Sequence, residues 1–293
     1  IGLHGKSFIP MVMGFGCNVP AIMATRSIES RKSRLVTLSI IPFMACAGRL
    51  PIFVLMAGAF FPHNAATALL GMYLLGVVMA VLSALVLSRF VKDDDLPFVM
   101  ELPPYRVPTG KAIWRHTWEK GRQYLEKMAT TILLFSVLIW FLGYFPQNKE
   151  LSPAQQQENS LIGHLGKAVA PALDPLGFDW RMDVGLLAGV GAKELVVSTM
   201  GVMYAQSGEV PEGEDLSEDT QLQAALKSTV STASALAFMV FVLLYFPCIA
   251  TFVAVKNETG SWRWAILLAV YGIVLAWVMA FLFYRVGLLI WPV

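Results

Sequence analysis

A chain of 293 residues that is 56% hydrophobic and 14% charged lacks the polar surface of a soluble protein, since soluble domains carry roughly 25% charged residues. A mean hydropathy of +0.62 places it in a bilayer, with room for about six to eight spans of roughly 20 residues each. The formal charge of +2 selects no partner, and three cysteines in apolar surroundings, an odd number, exclude a disulfide framework.

In chain order, the first apolar segment, Phe8–Thr25, is interrupted by Gly14-Phe15-Gly16-Cys17-Asn18-Val19-Pro20. Gly14, Gly16 and Pro20 disfavour a continuous helix there. In lipid, non-helical backbone survives only where protein buries it or where it lines a cavity. The short basic loop with Arg26, Arg31, Lys32 and Arg34 is cytoplasmic by the positive-inside rule. Leu35–Phe61 then leads out, with its own break at Cys46-Ala47-Gly48-Arg49-Leu50-Pro51, to an outer turn at Pro62–Asn64. Ala65–Leu87 is a plain span that returns. Arg89–Lys127, rich in Lys and Arg and carrying Trp114 and Trp118, reads as a cytoplasmic interfacial helix.

Met128–Phe145 crosses outward to Gln147–Arg181, and Val184–Tyr204 is apolar except for Lys193-Glu194 at its middle. If that segment spans, the acidic stretch Glu209–Asp219 is inside and the basic turn Lys256–Arg263 outside. A re-entrant hairpin reverses both and fits the charges better. Ala233–Val255, kinked at Tyr245-Phe246-Pro247-Cys248, and Trp264–Ile290 complete the chain. The expected organisation is therefore residues 1–90 with a re-entrant segment and two spans, 91–127 as the interfacial linker, and 128–293 as a second region. Gly14-Phe15-Gly16-Cys17-Asn18 and Gly189-Val190-Gly191-Ala192-Lys193 share a Gly-x-Gly-small-polar pattern. Each precedes a charged loop and a Pro-broken span with a cysteine, as in inverted-repeat transporters. The fold class is an all-α membrane protein, a polytopic helical bundle with re-entrant and broken helices.

Glu194 is the leading chemical candidate, because a carboxylate inside an apolar 20-mer costs on the order of 3 kcal/mol and faces a cavity or a partner. The alternative is a structural ion pair with Arg49 that locks two broken helices. Lys193 lies about 100° around a helix from Glu194 and need not pair with it. Asn18 either offers its carbonyl to a cation or caps a half-helix. Cys17, Cys46 and Cys248 each serve either as buried small hydrophobes or as soft ligands that select metals such as Fe²⁺ and Zn²⁺ over Na⁺, Mg²⁺ or Ca²⁺. His4, His63, His116 and His164 show no ligand spacing. No Walker A, His-Glu-x-x-His or Gly-x-Ser-x-Gly motif is present, and nothing points to nucleic acid.

Gly14–Ala21, Ala24-Thr25-Arg26, Pro42–Cys46, Arg49-Leu50-Pro51, Pro97–Pro103, Ala192–Leu195 and Tyr245–Ile249 together resemble the membrane domain of the bacterial ferrous-iron transporter family FeoB. The resemblance implies an inner-membrane permease with two gate-type hairpin regions, taking up Fe²⁺ as the permease part of a GTPase-linked transporter. It places Cys17, Cys46, Glu194 and Cys248 on the metal path, to which Asn18 adds an oxygen donor by its own chemistry, and Arg49, Lys193, Gly14, Gly16, Pro20 and Pro247 are expected as structural or gating residues. Family members carry an amino-terminal domain for GTP and Mg²⁺, so the chain, opening at Ile1, reads as the carboxy-terminal part of a longer protein. Most of the first gate region is then expected before Ile1. The implied partners are the lipid bilayer, that GTPase domain, small cytoplasmic Feo proteins and further copies of the chain. No catalytic residue is assigned. The competing readings are a transporter of organic solutes such as nucleosides on a related gate fold, and a non-transporting membrane scaffold.

Overall fold

The computed structural model describes residues 5–91, 109–145, 159–205, 218–246 and 248–290. The first apolar segment is a helical hairpin of α1 (Phe8–Gly14) and α2 (Asn18–Ala24), packed side by side. Cys17 between them is extended, with φ −149° and ψ 133°. Pro20 falls in the first turn of α2, where backbone N–H groups have no intrahelical acceptor, so it starts a helix instead of breaking one.

The next element is a broken helix. α3 (Arg31–Ile40) is capped by Ser30, whose hydroxyl accepts from the Ser33 N–H at 3.3 Å. It runs through a 3₁₀ turn at Ile41–Phe43 into extended backbone at Met44 and Cys46. A second 3₁₀ turn at Ala47–Arg49 leads into α4 (Leu50–Phe60). α5 (Ala65–Phe90) returns and packs on α3 and α4. Its Gly76 allows close approach, since a Cβ there would lie 2.8 Å from the Phe43 carbonyl oxygen.

α6 (Gly110–Tyr144) is a single helix of 35 residues, and at 1.5 Å per residue it is about 50 Å long. The boundary drawn at residue 127 falls inside it, so the stretch read as interfacial, with Trp114 and Trp118, and the stretch read as a span from Met128 lie on one helix. Residues 92–108, which hold the Pro97–Pro103 block, lie outside the described residues.

A second copy of the opening pattern follows. α7 (Leu161–Leu173) leads to a turn closed by Gly177 at φ 72°. α8 (Trp180–Gly191) and α9 (Glu194–Ala205) form the second hairpin. Gly185 faces Met200 and Gly189 faces Val196, contacts that one straight helix would hold far apart. The two arms therefore fold back on each other, as the charge argument required. α10 (Glu218–Thr229) precedes a second broken helix, α11 (Thr232–Leu244) and α12 (Ile249–Thr259), interrupted at Tyr245–Cys248. Pro247, in that break, and the acidic residues 209–217 lie outside the described residues. α13 (Trp262–Ile290) closes the order and lies along α11.

Hairpin, broken helix and long helix thus occur twice, and the two sets interlock. The second arm of the first hairpin, α2, packs on α12 of the second set, while α9 packs on α4 of the first. Four stretches among the described residues are long and apolar enough to span: 31–60, 65–90, 232–259 and 262–290. At one end, Glu258 accepts from Arg26 Nε at 2.9 and 2.8 Å, and Arg34 Nη2 donates to its carboxylate at 3.2 Å. That hydrogen bonding raises the Arg26 pKa above its ordinary value. It also sets the 26–34 loop and the turn after α12 on one face of the molecule, as the re-entrant reading demands.

Candidate functional site

The site forms where the two broken helices meet the two hairpin tips. Each break frees backbone groups that a straight helix would satisfy internally, and those groups need partners when buried. Arg49 supplies them. Fully buried, it donates through Nη1 to the carbonyls of Pro42 at 3.0 Å and Met44 at 2.7 Å. Its Nη2 reaches the Tyr245 carbonyl in the other break at 3.5 Å. No ion pair joins Arg49 to Glu194 among the described residues, so the locking role belongs to Arg49 and backbone carbonyls.

The first hairpin tip is tied to the first break by the Ala47 N–H donating to the Gly16 carbonyl at 3.1 Å. Cys17 and Cys46 flank that bond in sequence, and both are half-buried. Gly14 packs on Met44, where a Cβ would sit 3.1 Å from the Met44 side chain. Asn18, 2% exposed, has neither its amide oxygen nor its amide nitrogen hydrogen-bonded. It does not cap α2, so the helix-capping alternative falls away. An unpartnered amide of this kind costs about 1–3 kcal/mol.

The second hairpin tip docks on the same region. Ala192 is extended at φ −150° and ψ 138°, and the next two residues point to different places. Lys193, 3% exposed, sets its ammonium 2.9 Å from the centroid of the Tyr245 ring and 3.5 Å from the Phe246 carbonyl oxygen. It is within electrostatic reach of Arg49, Cys46, Cys248 and Glu194. Glu194 is exposed and lies over Gly48, where a Cβ would fall 2.6 Å from its Oε1. Cys248 Sγ is 3.5 Å from the Thr251 hydroxyl. Among the described residues, no three His, Cys, Asp or Glu side chains close around one point as a metal centre. The thiols, the free amide and the carboxylate are instead distributed along the seam between tips and breaks. Motif reading missed Tyr245 and Gly48, whose parts depend on contacts across the two sets of helices that no local pattern encodes.

Two re-entrant hairpins wedged against two interlocked broken helices define a gate-type membrane protein. The chain belongs to the gate family described as nucleoside recognition, which residues 1–60 and 125–262 match. Residues 69–120 match the family described as the C terminus of ferrous iron transport protein B. The chain is 47% identical to the Fe(2+) transport protein A/Fe(2+) transporter FeoB fusion protein of Porphyromonas gingivalis, over 99% of the chain and 38% of that protein. Against the Fe(2+) transporter FeoB of Staphylococcus aureus the identity is 43%, over 98% of the chain and 41% of that protein. Against that of Methanocaldococcus jannaschii it is 39%, over 98% and 42%. The resemblance to FeoB read from the motif blocks therefore holds along nearly the whole chain, which spans about two fifths of the length of these relatives. No solved structure matches it.

Proposed function

We propose that the chain is the membrane permease of a ferrous-iron uptake protein of the bacterial inner membrane, and that Fe²⁺ moves along the seam between hairpin tips and broken helices. The observation that carries this reading is the placement of all three cysteines at backbone breaks, with Cys17 next in sequence to the unpartnered amide of Asn18. Thiols suit a borderline cation such as Fe²⁺ and serve Na⁺, Mg²⁺ or Ca²⁺ poorly. Oxygen from Asn18 and Glu194 completes a mixed donor set. Ligands spread along a path, not closed into a cage, suit an ion that must leave as readily as it binds. The relatives are Fe(2+) transporters by name, which favours iron over an organic solute.

In this reading the chain works within a longer protein, together with an amino-terminal GTPase domain that binds GTP and Mg²⁺. A small cytoplasmic protein of the type fused in the Porphyromonas gingivalis relative is a natural partner. The chain itself catalyses nothing and holds Fe²⁺ only as cargo. The test is anaerobic uptake of radiolabelled Fe²⁺ by cells carrying the full-length protein, with Cys17→Ser, Asn18→Ala and Glu194→Ala at matched expression. Uptake lost in the variants supports the path. Uptake equal to wild type in all of them returns these residues to packing.

A further inference from the structure

Lys193 poses a problem that the ion path does not answer. A charged side chain within a membrane protein is costly and is normally matched by an opposite charge. Among the described residues no salt bridge joins Lys193 to a carboxylate, although it is 3% exposed and Glu194 lies within its electrostatic reach. Its ammonium rests instead on the face of the Tyr245 ring, 2.9 Å from the centroid, and against the freed Phe246 carbonyl at 3.5 Å. Cys46 and Cys248 lie within its electrostatic reach. A carbonyl from a broken helix, an aromatic face and two thiols form a donor set for a cation, and a cation of the chain's own is in it. Arg49, within electrostatic reach, adds a second positive charge, while its Nη1 donates to two carbonyls.

We infer that the Lys193 ammonium is a tethered cation occupying the seat of the transported ion, and that passage of Fe²⁺ requires the second hairpin tip to withdraw it. This rests on the Fe²⁺-path reading for the identity of the ion, but not for the occlusion itself. In the arrangement described, a divalent ion at the seat meets the Arg49 guanidinium and the protonated Lys193, a repulsion that the single carboxylate within reach, Glu194, offsets only in part. The tip is suited to withdrawal. Ala192 is extended between two short helices, and Lys193 is held by one ring and one carbonyl.

The experiment uses the full-length protein in liposomes and reads two quantities in wild type, Lys193→Met, Lys193→Arg and Tyr245→Leu. The first is anaerobic Fe²⁺ flux with no nucleotide present. The second is the rate at which a small cationic methanethiosulfonate modifies Cys46 and Cys248, resolved by peptide mass spectrometry. Lys193→Met is expected to raise both at least about tenfold, since it removes the charge and keeps the length. Lys193→Arg is expected to stay near wild type. Tyr245→Leu, which leaves the lysine but removes its platform, is expected to lie between and covers the case in which Lys193→Met fails to fold. Labelling rates in Lys193→Met and Tyr245→Leu that equal wild type overturn the proposal, whatever ion the protein carries. Faster labelling without any Fe²⁺ flux, in the variants or in nucleotide-driven wild type, leaves the tethered cation standing and refutes iron as the cargo.

Discussion

Arg49 shows how one side chain replaces the hydrogen bonds that a broken helix gives up. Three carbonyls from two separate breaks converge on its guanidinium, and a planar fork of donors suits that task better than an ammonium. Arg49→Met keeps much of the volume and orphans those carbonyls. The expected result is a loss of about 2–4 kcal/mol, read as a lower unfolding temperature in detergent, and Arg49→Lys should recover only part of it. Asn18 is the opposite case, a buried amide with no partner. Asn18→Leu is therefore expected to leave stability unchanged or to raise it by about 1 kcal/mol, while Fe²⁺ uptake falls. A variant as unstable as Arg49→Met would show that the amide has a structural partner. Sequence reading reached both residues, because a charge or an amide in an apolar run stands out. It offered an ion pair between Arg49 and Glu194 only as the alternative to a role for Glu194 on the ion path. The true acceptors are backbone carbonyls, and no residue code marks which carbonyls a break sets free.

The hairpins were legible as elements because their tips combine glycine with polar residues in runs too short to cross twice. Their arms were less so. Pro20 reads as a breaker until its place in the first turn of α2 is known. The continuity of α6 across the change from charged to apolar composition was hidden because composition marks the environment along a helix, not its end. Packing between elements is where small residues matter. Gly76 lets α5 meet the first break at the Phe43 carbonyl, and an added Cβ would lie 2.8 Å from that oxygen. Backbone cannot swing aside as a side chain can, so Gly76→Ala is expected to cost about 1–3 kcal/mol. Gly48→Ala presents a Cβ to the movable end of Glu194 and Gly71→Ala to open space. Both should cost less than Gly76→Ala in the same thermal assay, and equal losses in all three would contradict this packing.

At the scale of the molecule, the two sets of hairpin, broken helix and long helix hold one another through crossed packing and through the Glu258 cluster. The Glu258 side chain is 3% exposed while Arg26 and Arg34 remain partly in solvent, at 58% and 33%, so the pairs are worth about 1 kcal/mol in total. A double-mutant cycle with Glu258→Gln and Arg26→Ala should return a coupling of that order, shrinking as salt is added. Additive effects would show that the contact does not hold α2 to α12. The doubling itself was visible in the sequence only as a five-residue pattern around Gly14 and Gly189. Inverted halves share geometry far more than residues, because each position faces a different neighbour.

The crossed packing also governs how the protein is made. α2 leaves the ribosome more than 220 residues before α12, the helix it rests against. α4 likewise waits for α9. The first half therefore enters the membrane with the face of α2 that meets α12 uncovered, and it stays in that condition until α12 is made. A protein built this way offers quality control a long interval in which to act. It also ties the survival of the first hairpin to the synthesis of α12.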